Sequence, residues 1–154
     1  MMQYNERREL KIRLATENDV NLIYHWRNDP STRKYFFDDS EIEKSNHEKW
    51  YLESLVIPSR HILIAEYIEC PVGVVRFDVK GNIAEVDIYT SPGSRQQGAG
   101  TIVLEAAINW VKKNLKNVEK VVAKVKPQNV PSLRVFEKNN FKHDYIALGL
   151  NIND

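Results

Sequence analysis

The stretch Ile88-Tyr89-Thr90-Ser91-Pro92-Gly93-Ser94-Arg95-Gln96-Gln97-Gly98-Ala99-Gly100-Thr101 decides how this chain folds. It opens on β-branched and aromatic residues, crosses a Gly/Ser-rich loop and enters an apolar run of helical period. It therefore reads as strand, loop and helix in succession. A helix start presents unpaired N–H groups and a partial positive charge, a setting that suits phosphate. Gly98 and Gly100 put no side chain in the way of a close approach. Gln96, Gln97 and Thr101 add side-chain donors. The same spacing also describes a plain left-handed loop before a helix, and spacing alone leaves the two readings equally open. Two other phosphate patterns fit poorly. The G-x-G-x-x-G pattern would need a glycine where Val103 stands, and an acid on the next strand, which ends Lys124-Val125-Lys126. A P-loop needs Gly-Lys-Ser/Thr, and Gly100-Thr101 lacks the lysine.

Working outward, residues 83–90 and the runs 60–68 and 72–79 read as three strands. The short separators Glu69-Cys70-Pro71 and Lys80-Gly81-Asn82 make them an antiparallel meander. Downstream, a helix to about Leu115 carries Val103, Ala106, Ala107, Trp110 and Val111 at i, i+3, i+4, i+7 and i+8. A strand at 118–126 places Val121, Ala123 and Val125 on one face, and a helix at 130–139 and a strand at 141–150 follow. Upstream, Leu10 to Ala15 reads as a strand, and the first eight residues are expected to fray. Thr16 caps a helix running to Arg27, with Asp19 in its first turn. Ser40 and Glu43 form a capping-box pattern for a second helix to Leu55, with Ile42, Trp50, Tyr51 and Leu55 as its apolar positions. The expected architecture is one α/β (α+β) domain over 1–154, a mixed, mostly antiparallel sheet flanked by about four helices.

The pattern Arg95-Gln96-Gln97-Gly98-Ala99-Gly100 at a strand–loop–helix junction resembles the signature of the GNAT acetyltransferases, Arg/Gln-x-x-Gly-x-Gly/Ala. The resemblance continues through Asn129-Val130-Pro131-Ser132 and Phe136-Glu137-Lys138-Asn139-Asn140-Phe141. It implies acetyl-CoA as acetyl donor, no metal, and direct transfer to a small-molecule amine without a covalent enzyme intermediate. By the same resemblance, Arg95 to Thr101 cradle the CoA pyrophosphate. The backbone of Ile88, Tyr89 and Thr90 pairs with the pantetheine arm, and Asn129 and Ser132 touch the cofactor further along. Asn129 also suits a helix cap ahead of Pro131. Two positions depart from the family pattern. Phe136 stands where a Tyr usually serves as general acid, and Asn140 stands where a Gly usually precedes the final Phe.

The amine must lose a proton before it attacks, and a carboxylate, or a water it positions, can take it. Glu85 and Asp87 share a strand face; the resemblance favours Glu85, against a merely solvated face. His25 and His47 are fallback bases. Tyr35-Phe36-Phe37-Asp38-Asp39 is either a ring-stacking acceptor loop or a hydrophobic plug. His25-Trp26-Arg27-Asn28-Asp29-Pro30 and His47-x-x-Trp50 resemble the members that acetylate nucleotide-linked amino sugars, and more loosely the ribosomal-protein N-acetyltransferases. Polyamine and protein N-terminal acceptors, and a non-catalytic acyl-CoA-binding module, are the rival readings.

Composition fits this class. Lys+Arg number 22 and Asp+Glu 21, a net charge of +1, without the basic excess of a nucleic-acid binder. No apolar run approaches the ~20 residues of a membrane span, the polar start is unlike a secretory signal, and the lone Cys70 fits a reducing compartment. A cytoplasmic enzyme that works on a small-molecule amine, with a homodimer open to it and neither nucleic acid nor membrane as partner, is the expectation.

Overall fold

The computed structural model describes residues 10–152, except the side chains of 95–97. The expected fraying of residues 1–8 lies outside that range. Five strands form one sheet in the order β1-β2-β3-β4-β5. They are β1 (Leu10–Leu14), β2 (Arg60–Tyr67), β3 (Cys70–Lys80), β4 (Ile83–Thr90) and β5 (Lys120–Ala123). The first four pair antiparallel, and β5 joins β4 in parallel. The helices are α1 (Val20–Asn28), the single turn α2 (Pro30–Arg33), α3 (Lys44–Leu55), α4 (Ala99–Asn114) and α5 (Val130–Lys138). The mixed, mostly antiparallel sheet flanked by helices is the expected α/β architecture.

The run Ile62-Leu63-Ile64-Ala65 shows why the sheet is covered on both faces. All four residues are buried, which a strand manages only between two layers. Leu63 and Ala65 join Val75, Phe77, Ala84 and Val86 against Val103, Leu104, Ala107 and Val111 of α4 and Phe136 of α5. Ile62, Ile64 and Val74 face the other way, against Ile23 of α1 and Tyr51 of α3. At Gly73 α4 packs tightly on the sheet: a Cβ there would stand 2.9 Å from Val103 Cγ1.

Several boundaries differ from the sequence expectation. The β2–β3 turn is Ile68-Glu69, both at positive φ, with Tyr67 opposite Cys70, so Cys70 opens β3 instead of sitting in the turn. Ser40 and Glu43 form no capping box. Ser40 turns back onto Asp38, and α3 starts at Lys44 with no side-chain cap. Most important, residues 141–150 are not a strand. Phe141 packs on Phe136, but no described backbone hydrogen bond continues the sheet beyond β5.

The cap at Thr16 is present and extends further than the sequence indicates. The Thr16 hydroxyl accepts from the Asn18 amide, and the Asp19 carboxylate accepts from the Thr16 amide at 2.8 Å. Asp19 also takes both terminal nitrogens of Arg13, at 2.7 and 2.8 Å, while Arg13 Nε reaches Glu66. One buried carboxylate thus ties β1 to the start of α1. Asp19→Ala removes the cap and the bidentate pair together, and a loss of about 2–3 kcal/mol is expected. The Arg13 hydrogen bonds hold the Asp19 carboxyl below its ordinary 3.8, so the unfolded chain takes up that proton first. The contribution is complete above about pH 4 and is lost as pH falls through the lowered folded value. Urea midpoints should therefore separate wild type from variant at pH 7 and converge on acidification; a gap independent of pH would reject this account.

Candidate active site

β4 is paired along its whole length with β3, but β5 accompanies it only from Ile83 to Val86. From Asp87 to Thr90 no described strand lies beside the second edge of β4, and these four residues line a cavity. Val125, Asn129, Ser132, Val135 and Phe136 wall the opposite side. The cavity reaches the start of α4, where Gly98 and Gly100 line it. Gly98 takes φ +73°, the left-handed conformation open to glycine, and ends a 3₁₀ turn over Pro92–Gln97. The helix that follows aims its first-turn N–H groups, which have no intrahelical acceptor, at this loop. Gly100 has a second duty: a Cβ there would meet Val135 Cγ2 at 3.1 Å, so its absence lets α5 close onto α4.

The other wall comes from the α1–α3 side. Thr32, Tyr35, Phe36 and Phe37 line the cavity opposite Asp87 and Tyr89. The loop that carries them is fastened by Asn28, whose amide group exchanges two hydrogen bonds with the backbone of Ile42, at 2.9 and 3.3 Å. Phe36 meets the Tyr89 ring edge-on. The Arg27 guanidinium lies over the Phe36 ring at 4.7 Å and over Trp50 at 5.5 Å. Arg60 and Arg76 approach the same Trp50 ring, each at 5.7 Å. Arg33 keeps a buried Nε with no hydrogen-bond partner, and Lys126 sits over Phe37. Burial pushes the Tyr89 phenol above its usual range.

The two carboxylates singled out from sequence part company here. Asp87 lines the cavity, with Arg27 and Arg76 each 3.9 Å from its Oδ2. Glu85 lies beside it on the strand but borders a separate shallow depression with Asp78 and Val122, and pairs with Lys124 at 3.2 Å. Neither histidine reaches the cavity. His47 is buried, bonds the Val20 carbonyl and stacks on Tyr51, and burial lowers its pKa. His25 is exposed on α1 against Tyr24.

Of the residues expected to bind cofactor, Ile88, Tyr89, Thr90, Gly98, Gly100, Asn129 and Ser132 come together around the cavity. Ala99 is buried and Thr101 half-buried in the first turn of α4. The side chains of Arg95, Gln96 and Gln97 lie outside the described residues. Asn129 caps α5 by accepting from the Ser132 amide. Phe136 puts a buried ring, edge-on to Phe141, at the cavity wall. Sequence reasoning missed Arg76, although Val74-Val75-Arg76-Phe77-Asp78 signals it: two charges at period two inside an apolar strand share a face with Asp87.

The whole arrangement is a parted strand pair with a helix start at one end. A family model for the acetyltransferase (GNAT) family matches residues 20–141, and the chain belongs to that family. It is thus a GNAT-type N-acetyltransferase, a class that draws its acetyl group from acetyl-CoA. No curated protein sequence matches it. Among solved structures, it is similar to the spermidine N-acetyltransferase from Vibrio cholerae in complex with CoA and spermine, with a TM-score of 0.82 and 18% identity over 90% of this chain and 83% of that one. It is also similar to the aminoglycoside acetyltransferase AAC(6')-Ib in complex with coenzyme A, with a TM-score of 0.76 and 21% identity over 88% and 85%. A GNAT-family acetyltransferase from Streptococcus pneumoniae gives 0.72 and 18% over 95% and 93%. Among the described residues, no group of His, Cys, Asp and Glu is arranged to hold a metal, and no helix is long and apolar enough to cross a membrane.

Proposed function

We propose that the chain acetylates the primary amine of an acceptor that also carries negative charge, best matched by a nucleotide-linked amino sugar. The cationic, aromatic acceptor wall carries this reading. Arg27 lies over the rings of Phe36 and Trp50, Arg76 approaches Trp50 and Lys126 sits over Phe37, and among the described residues that line the cavity Lys124 is the cation and Asp87 the one acid. Guanidinium groups suit a diphosphate, and the ring faces suit a sugar or base. The polycations bound by the solved neighbours would face repulsion here.

The donor fits the parted strands. Bound acetyl-CoA supplies an acetyl group already activated as a thioester. The unpaired edge at Ile88, Tyr89 and Thr90 offers strand-like hydrogen bonds to a pantetheine arm. The loop from Arg95 to Gly98 and the first turn of α4, from Ala99 to Thr101, offer N–H donors to the pyrophosphate. Asn129 and Ser132 border the same channel. Gly98→Asp tests this assignment. Asp tolerates the left-handed region, so the fold should persist while the new charge repels phosphate. Acetyl-CoA affinity by calorimetry should fall at least tenfold, and unchanged affinity would remove the loop from the cofactor site.

Asp87 receives the proton that the acceptor's ammonium must lose, directly or through one water, freeing the nitrogen lone pair to form the amide bond as the carbon–sulfur bond breaks. Phe136 has no proton to give, so the departing thiolate is protonated through solvent, which also takes the second proton that the nitrogen sheds as the amide forms. Glu85 sits just outside the cavity and steadies Lys124. On this reading Asp87→Asn lowers kcat by roughly 10²–10⁴-fold, and the deficit shrinks at high pH where the amine is already neutral. Glu85→Gln should cost less than about tenfold, on the scale of a modest rearrangement. The reverse order of severity would make Glu85 the base.

The acceptor class is tested by comparing kcat/KM for a UDP-linked 4-amino sugar, spermidine and a peptide with a free N-terminus under equal conditions. The sugar nucleotide should lead, and its advantage should diminish in Arg27→Gln and as salt rises. A higher value for spermidine or the peptide rejects the anionic acceptor while leaving acetyl transfer intact.

A further inference from the structure

Arg76 and Asp87 stand directly opposite each other on β3 and β4, and opposite charges so placed ordinarily pair across the strands. Here they do not close: the Arg76 terminal nitrogen stays 3.9 Å from Asp87 Oδ2. The guanidinium turns instead along its own strand, where Nε donates to Asp78 Oδ2 at 3.0 Å. Asp78 shares that strand face but lies outside the cavity, on the shallow depression it borders with Glu85. Its other oxygen, Oδ1, accepts from Arg60 Nε at 2.6 Å. Arg60 is the residue opposite Asp78 on β2, and its terminal nitrogen donates to the buried Ser54 hydroxyl of α3 at 2.9 Å. The Trp50 ring lies against both guanidinium groups, each at 5.7 Å.

Both oxygens of Asp78 are thus committed, one to an arginine fixed on buried structure and the other to an arginine beside the cavity. Charge-assisted bonds of this kind are the strong ones. The result is a guanidinium held next to Asp87 without closing onto it. That spacing matters on the reading that Asp87 takes the acceptor's proton, on which this inference rests. A carboxylate closed into a bonded pair with Arg76 would have fewer lone pairs free for the incoming ammonium. Among the described residues, the ion-pair partners of Arg76 are Asp78 and Asp87. Loss of the Asp78 charge therefore leaves Asp87 as the carboxylate to which the guanidinium turns.

We propose that Asp78 is a positioning residue: by holding Arg76 along β3 it keeps the guanidinium off Asp87 and leaves that carboxylate open to the amine. Asp78→Asn keeps the size and removes the charge, and Asp78→Ser removes the charge with a smaller group. In each, kcat with the best of the three acceptors compared above should fall roughly tenfold, while acetyl-CoA affinity and far-UV circular dichroism stay as in wild type. Adding Arg76→Gln should raise kcat above that of the single Asp78 variant, because the arginine that closes on Asp87 is gone. A defect of packing would persist in the double variant. A kcat within about twofold of wild type in both Asp78 variants, or a loss that Arg76→Gln does not relieve, overturns the proposal. Asp87→Asn, measured beside them, separates the two levels. A large loss there with none at Asp78 overturns the positioning role alone, whereas wild-type kcat in Asp87→Asn overturns the base and the positioning role with it.

Discussion

The parting of β4 from β5 after four paired residues is the constraint on which the site depends. β4 continues to Thr90 because β3 still holds its other edge. β5 stops at Ala123 because the chain must reach Asn129, which caps α5. The position of α5 is fixed in turn where Val135 closes on Gly100 and Asn139 bonds the Thr101 carbonyl. Packing of α5 onto the first turn of α4 therefore draws the chain away from β4. What remains is a strand edge whose amides and carbonyls have no described strand partner, and such groups are costly to bury without one. The protein leaves them facing a cavity that ends at a helix start, so one packing contact yields both the slot and the helix start at its end.

Much of this was legible because local chemistry sets it. The cap at Thr16, the meander from 60 to 90, the left-handed Gly98 and the long α4 each follow from residues adjacent in sequence. The misses are of another kind. The expected strand at 141–150 has the right alternation, but alternation specifies a face and supplies no neighbour to pair with. Ser40 prefers the short turn with Asp38 to a helix cap because the carboxylate is two residues away and free to bend back. The choice of base is a different matter: Glu85 and Asp87 point to the same strand face, and in the sequence the family resemblance alone favours Glu85. Only the stopping point of β5 puts one under Lys124 and the other in the cavity. The guanidinium cluster around Trp50 draws on α1, β2 and β3, and no local pattern announces an arrangement made by register.

The segment Trp26-Arg27-Asn28 shows how few residues hold the acceptor side together. Trp26 packs against the second core, Arg27 reaches Phe36 and Asp87, and Asn28 takes the place of a strand partner for Ile42. Three consecutive positions on a helix point in three directions about 100° apart, which is why one short stretch anchors the helix, backs the cavity wall at Phe36 and Asp87 and fastens the loop. The charge arrangement then has a specific consequence. Asp87 faces two guanidinium groups, so on the proposed reading an incoming ammonium would compete with them for the carboxylate, and an acceptor bearing phosphate would engage those same arginines as its amine approached. An acceptor with only positive charge would gain no such exchange and would meet Arg27 and Arg76 as repulsion. On that reading, discrimination on this wall would arise as much from what the arginines reject as from what they hold.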